Sequence, residues 1–312
     1  MTYQIGIDIG GTSIKFGIVD EHLQIVRRSA IPFQCIGGEA VAAMIRQEVC
    51  ALMAQEPEIK QVGSIGVVVP GSLDPTQSVV LDAHNLDFHN VPFRAQLQAQ
   101  FPDTPVYLAN DADGAALAEL GRGAFVGCKT AVLLTLGTGV GGGVILNGSL
   151  FSGGGRRGAE LGHMTLVSGG EPCTCGNLGC VEAYCSATAL IRDGIRAAKA
   201  DPESLLAQGD IDTMTAKHVI DCAKQGDKTA KAVFDRYVDH LAAACISVVH
   251  ILDPEVIAIG GGVSHAGEYL FEPLRKLTLE KCFFSDHGAI VPAVMGNDAG
   301  IIGAAMLAQY TK

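Results

Sequence analysis

Apolar and small residues run through YQIGIDIGG, pause at two glycines, and resume in SIKFGIVD. β-branched residues dominate both runs and the glycines supply a turn, so the pattern predicts two strands joined as a hairpin. A third strand is expected at QIVRRSAIPF. The period then changes. In EAVAAMIRQEVCALMAQ the apolar positions Val41, Met44, Ile45, Val49 and Leu52 recur at helical spacing and predict an amphipathic helix. SIGVVVPG is a continuous apolar run ending in Pro70-Gly71, which predicts a buried strand leaving the core into a loop. VYLAN predicts another strand, feeding a helix that starts near Asp111 and ends at Gly121.

A second strand–glycine–strand unit follows in AVLLTLGTGVGGGVILNG. It repeats the order of the first: an apolar strand, glycines beside a threonine (Thr12, then Thr138), and a second strand ending in a polar residue (Asp20, then Asn147). Such an internal repeat implies two related α/β lobes facing one another, each presenting a glycine turn to a shared cleft. The first lobe is expected over residues 1–121, completed by a final helix at roughly 300–312, and the second over 122–299. Further helices are expected at roughly 182–199, 215–225, 228–251 and 267–280, with one strand, EVIAIGGG, among them. No low-complexity linker separates the lobes.

The chain has 312 residues, 48% of them hydrophobic, enough for two cores. A formal charge of −11 argues against nucleic acid as a partner, because phosphate backbones select basic surfaces. MTYQIGIDIGGT has no basic segment before its apolar run, and no apolar stretch reaches the length of a membrane span, so no membrane association and a cytoplasmic location are expected. A reducing compartment disfavours a disulfide framework among the ten cysteines. Cys50, Cys222 and Cys245 stand singly in helical patterns and read as small buried hydrophobes.

Three cysteines differ from these. His163, Cys173, Cys175 and Cys180 fall in GHMTLVSGGEPCTCGNLGC and provide four N/S ligands, the number and type of a closed tetrahedral zinc site. Four protein ligands leave no open position, so the Zn²⁺ is expected to be structural. His163 then has a second ring nitrogen to offer a bound molecule.

The turns DIGGT, LGTG and IGGGV each place glycines directly after an apolar strand. One such turn is an ordinary hairpin. Three of them, with two threonines, point to a nucleotide phosphate site in which backbone N–H groups face phosphate oxygens. No GxxxxGK[ST] is present, and no GxGxxG follows the first strand. Asp8 closes the first strand and would repel phosphate unless a cation lay between them, which implies Mg²⁺. Asn110-Asp111, where a strand meets a helix, has two readings: a helix cap, or a general base with a neighbouring carboxamide that holds a hydroxyl. Asp113 reads as a first-turn residue favoured by the helix dipole.

Taken together, GIDIGGTSIKFG, PGSLD, NDADGAALAE, LGTGVGGG, GAELGHMTLV, CTCGNLGCVEAY, IGGGV and GNDAGIIGAA resemble the ROK family of sugar kinases and repressors over the whole chain. The resemblance implies an actin-like, ribonuclease-H-type ATPase fold in two lobes with a structural zinc site. It implies ATP-dependent phosphorylation of a hexose, most often glucose at O6, with Asp111 as the catalytic base. Gly71, Asn85, Asn110, Asp111, Glu160, His163 and Glu182 would hold the sugar. Asp8, Gly10, Gly11, Thr12, Lys15, Gly137, Thr138 and Gly139 would serve the MgATP phosphates, and Gly260, Gly261 and Gly262 the adenosine. A homodimer or homotetramer is expected. The chain departs from the family pattern at Asp113, at the loop DAHNLDFHN before and around Asn85, and at the basic loop SGGGRRGAE with Arg156 and Arg157. Asp82 and His84 flank the sugar loop, so the preferred hexose is open among glucose, N-acetylmannosamine, N-acetylglucosamine, allose and fructose. A sugar-sensing regulator without catalysis is the rival from another class.

Overall fold

The computed structural model describes residues 2–33, 37–83, 86–156 and 158–310. Along the chain the first elements are β1 (Gln4–Ile9), β2 (Ser13–Val19), β3 (Ile25–Pro32), α1 (Gly38–Ala54) and β4 (Ile65–Val69). Three short strands follow, β5 (Ser72–Leu73), β6 (Val80–Ala83) and β7 (Phe88–Val91), then α2 (Phe93–Gln100), β8 (Val106–Asn110) and α3 (Asp111–Arg122). Next come β9 (Ala131–Leu136), β10 (Val140–Leu146), β11 (Ser149–Leu150), α4 (Glu182–Cys185), α5 (Ala187–Ala200), α6 (Ala216–Lys224) and α7 (Lys228–Leu252). The chain closes with β12 (Val256–Gly260), α8 (Glu268–Lys281), β13 (Ala289–Pro292) and α9 (Ala299–Tyr310).

The residues fall into two compact units, Met1–Lys129 with Gly143–Ala159 and Met295–Lys312, and Thr130–Gly142 with Glu160–Val294. The first unit is built on a sheet of order β3-β2-β1-β4-β8. β1, β2 and β3 pair antiparallel, and β4 and β8 add in parallel. Val41, Ile45, Val49 and Leu52 of α1 are buried with Ile5, Ile7, Phe16 and Val67 of the sheet, while Met44 is only half-buried. Cys50 corrects its expectation. It is exposed, because one residue beyond Val49 the helix has already turned about 100° away from the core.

α9 lies against this sheet with its backbone. A Cβ on Gly6 of β1 would collide with the carbonyl of Ile301, and one on Gly66 of β4 with that of Ala304. On its other side, a Cβ on Gly303 would meet the carbonyl of Gly114 in α3. Residues Ile301 to Leu307 are all buried, which explains why the helix carries no amphipathic stripe.

A second sheet has the order β11-β10-β9-β12-β13, with β12 parallel to both β9 and β13. A third, antiparallel sheet of β5, β6 and β7 belongs to the first unit and was not expected from the pattern. The helix expected at roughly 182–199 is two helices. Ser186 adopts an extended conformation between them and its hydroxyl accepts the Ala189 N–H, so α5 starts afresh with its own cap. Among the described residues no helix is long and apolar enough to cross a membrane.

Candidate active site and metal centre

In the first unit, β1 and β2 pair so that Asp8 faces Lys15 across the hairpin, with Oδ2 and Nζ 3.3 Å apart. The turn closes by a 2.9 Å bond from Gly10 N–H to the Ser13 carbonyl, and Gly11 and Thr12 are exposed at its tip. A Cβ on Gly300 would lie 2.6 Å from Asp8 Oδ2, so glycine there admits the carboxylate to the first turn of α9. The positive end of that helix favours an anion in this place.

A second cluster in the same unit forms where β8 runs into α3. The Asn110 side-chain oxygen accepts the Ala112 N–H at 2.8 Å, a helix cap, while its Nδ2 donates at 2.8 Å to the carbonyl of Gly71. Gly71 has φ of 98°, and a Cβ on it would strike the carbonyl of Asp82, so only glycine brings this turn within reach. With Asn110 as cap, Asp111 is the first residue of α3 and is exposed, its Oδ1 accepting the Ala112 N–H at 2.9 Å. The cap reading therefore falls on Asn110, and Asp111 stands beside it at the start of the helix.

Glu119, further along α3, was missed. It is buried, and its carboxylate accepts the N–H groups of Ala124 at 2.7 Å and Met295 at 2.9 Å, tying the end of α3 to the segment that leads into α9. A glutamate on a helix gives no sign in sequence of which backbone it will meet.

In the second unit the Gly137–Thr138–Gly139 turn between β9 and β10 is pinned from α4 and α5. The Gly137 carbonyl accepts Ala187 N–H at 2.8 Å, the Thr138 carbonyl accepts the Thr188 hydroxyl at 2.8 Å, and Glu182 Oε2 accepts Val140 N–H at 3.0 Å. The helix break at Ser186 is what leaves the Ala187 N–H available to do this. Gly261 has φ of 81° and lies against the Leu136 backbone with no room for a Cβ; Gly260 ends β12 and Gly262 opens a short helical turn over Gly262–Ala266. The three glycine segments of the sequence are thus real turns, each after a strand.

The metal-ligand candidates converge in this unit. An isolated bridge between Thr165 and Cys180 lays the His163 segment beside the last cysteine, and the turn at Cys173–Asn177 brings in the other two. The ligand atoms of His163, Cys173, Cys175 and Cys180 all lie within 4.8 Å of one another. Cys175 Sγ and Cys180 Sγ are 3.7 Å apart and His163 Nδ1 and Cys173 Sγ 3.6 Å apart. Disulfide bonding requires about 2.05 Å. A tetrahedron with Zn–S of about 2.3 Å and Zn–N of about 2.05 Å has S···S edges of about 3.8 Å and S···N edges of about 3.6 Å. The donor set and these two edges fit zinc, with His163 Nδ1 the ring nitrogen next to Cys173 Sγ. Burial pushes the thiols of Cys173 and Cys180 up, the latter to about 12, while the Asn177 N–H holds that of Cys175 down. A bound cation removes this conflict by stabilising all three thiolates.

Glu182 borders this cluster. Its Oε1 accepts the Thr174 hydroxyl at 2.7 Å and lies 3.5 Å from Cys173 Sγ. Glu160 is exposed, and its carbonyl accepts the His163 N–H at 3.0 Å. Thr174 and Thr188 were not singled out from the sequence, since lone threonines carry no pattern. Asn85, with His84 and Arg157, lies outside the described residues.

The ROK family matches residues 4–311. The chain belongs to the ROK family. Among its relatives, a glucokinase of Thermotoga maritima is 38% identical over 310 residues, covering 97% of this chain and 96% of that protein. The structure of a ROK family glucokinase from Streptomyces griseus, solved in complex with glucose and AMPPNP, superposes with a TM-score of 0.80 at 34% identity, covering 98% of this chain and 99% of the other. A ROK hexokinase from Thermus thermophilus gives 0.85 at 31% identity, covering 98% and 97%. These ROK relatives share the α/β fold of the family from end to end.

Proposed function

We propose that the chain is an ATP-dependent hexose kinase that transfers the γ-phosphoryl group to glucose, forming glucose 6-phosphate. The observation that carries this reading is the exposed Asp111 carboxylate on the first turn of α3, beside an Asn110 clasped to Gly71, in a chain that matches glucokinases over its whole length.

In this reading Asp111 accepts the proton of the sugar hydroxyl as the hydroxyl oxygen bonds to the γ-phosphorus of ATP and the bond from that phosphorus to the β,γ-bridging oxygen breaks, releasing ADP. An ordinary carboxylate suffices, because bond formation to the nucleophile lags in a loose transition state. Asn110, fixed by its two hydrogen bonds, keeps that carboxylate at the start of α3 and offers its amide edge to a neighbouring sugar hydroxyl. Gly71 and Asn85 would also bind the sugar, as the family resemblance implies. Glu160, Glu182 and the second ring nitrogen of His163 would bind further sugar hydroxyls on the same ground.

The Gly10–Thr12 and Gly137–Gly139 turns direct N–H and hydroxyl groups to the nucleotide phosphates, Lys15 adds a cation, and Gly260–Gly262 lies by the adenosine. Asp8 would hold Mg²⁺ together with the phosphates; one carboxylate with phosphate oxygens is an ordinary donor set for that ion, and the ion would neutralise charge on the transferring group. His163, Cys173, Cys175 and Cys180 would hold Zn²⁺, which supplies folding energy and a fixed imidazole rather than chemistry.

A panel of hexoses with ATP tests the assignment, read as kcat/KM, which reports differential transition-state binding. Glucose is expected to lead the panel. A higher kcat/KM for an N-acetylated hexose would move the substrate assignment, and no turnover with any hexose would favour a sugar-sensing regulator.

A further inference from the structure

Glu182 holds two loops at once. Its Oε2 accepts Val140 N–H at 3.0 Å at the exit of the Gly137–Gly139 turn, and a Cβ on Gly139 would collide with the same oxygen. Its Oε1 accepts the Thr174 hydroxyl at 2.7 Å. Thr174 stands between two metal-ligand candidates, Cys173 and Cys175. One side chain on a single turn of helix therefore joins the metal loop to the turn assigned above to the nucleotide.

The Thr174 hydroxyl makes the join by donating to Oε1 at 2.7 Å, with Cys173 Sγ farther off at 3.5 Å. It keeps Oε1 in place and, through the rigid carboxylate, keeps Oε2 on Val140 N–H. The turn has no slack to absorb a shift of Glu182, since its Gly137 and Thr138 carbonyls are already bonded to Ala187 and Thr188.

We infer that Thr174 is a positioning residue that couples metal binding to nucleotide binding through Glu182. The inference rests on the kinase reading only in taking the Gly137–Gly139 turn as a phosphate site. Coupling between two binding events is reciprocal, so MgADP must tighten zinc binding by the factor by which zinc tightens MgADP. The loss of one hydrogen bond to a charged group sets that factor at about tenfold to a hundredfold.

The test measures zinc affinity by competition with a chromophoric chelator, with and without MgADP, in wild type, Thr174→Val and Thr174→Ser. Wild type is expected to show the coupling, Thr174→Val to reduce the factor to about one while still binding both ligands, and Thr174→Ser to restore it. A merely structural threonine would change both affinities without changing their ratio. Zinc affinity indifferent to MgADP in wild type overturns the coupling, as does an undiminished factor in Thr174→Val. If Thr174→Val holds no zinc, the factor in wild type and in Thr174→Ser decides: a factor of one in either overturns the inference. A wild-type protein that binds no MgADP overturns the kinase reading, and the inference with it.

Discussion

The carboxamide of Asn110 performs two tasks with two atoms. Its oxygen caps α3 and its nitrogen reaches the Gly71 carbonyl 39 residues earlier in the chain. The cap is legible from the residue type and the strand-to-helix change, whereas the bond to Gly71 depends on a tertiary approach that only a glycine with positive φ allows. The two tasks separate by mutation. Asn110→Asp keeps the accepting oxygen and loses the donor, so it should retain most of the helix stability but loosen the Gly71 turn. Asn110→Ala loses both, and should cost about 1–2 kcal/mol in urea unfolding. Equal stability losses in the two variants would show that the clasp, rather than the cap, dominates. Glu119 makes the complementary point. Buried and accepting two backbone N–H groups, it holds the entry to α9 by contacts that no local pattern announces.

At the scale of elements, the long strands and helices follow from periodicity, and the shorter pieces do not. β5, β6 and β7 are two to four residues long, too short for alternation to stand out from their polar loops. The break between α4 and α5 is hidden because Ser186 sits in a run of good helix formers, and its capping bond becomes decisive only once Ala187 N–H has the Gly137 carbonyl as a partner. α9 shows why its glycine-facing strands are demanding. Gly66→Ala would drive a Cβ into the Ala304 carbonyl, and backbone cannot rotate away as a side chain can. A loss of about 2–4 kcal/mol is expected, measured as thermal or urea unfolding, against no more than about 0.5 kcal/mol for an exposed site.

The loop from Asp74 to Val79 offers a titration. Burial pushes the Asp74 carboxyl up, but the Thr76 hydroxyl and the N–H groups of Val79, Ser78 and Thr76 more than offset this and hold it at about 2. A depressed carboxyl stabilises the fold above its unfolded value and loses that contribution as the pH falls through its folded value. The contribution of Asp74 should be complete above about pH 4 and disappear towards pH 2. Discounted for solvent screening, it amounts to about 1 kcal/mol. An NMR titration of the Asp74 carboxyl carbon should give a midpoint near 2; a midpoint near 4 would mean that the loop bonds do not persist in solution.

For the molecule as a whole, the glycine turns and the cysteine motif together are specific enough to point to the family, which the match over residues 4–311 shows. What pattern could not reveal is that Glu182 spans from the metal loop to the Gly137–Gly139 turn, because the residues it joins are far apart in sequence. Cys175→Ser should lower zinc content and glucose affinity together, measured by metal analysis and calorimetry. Unchanged glucose affinity in a zinc-free Cys175→Ser protein would separate the metal from the sugar site. The central claim concerns Asp111, and the most direct measurement compares ATP-dependent formation of glucose 6-phosphate by wild type and Asp111→Asn, with glucose affinity determined on the same preparations. The account predicts that Asp111→Asn binds glucose nearly as wild type does while turnover falls at least about 10²-fold. Turnover within a few-fold of wild type would contradict it.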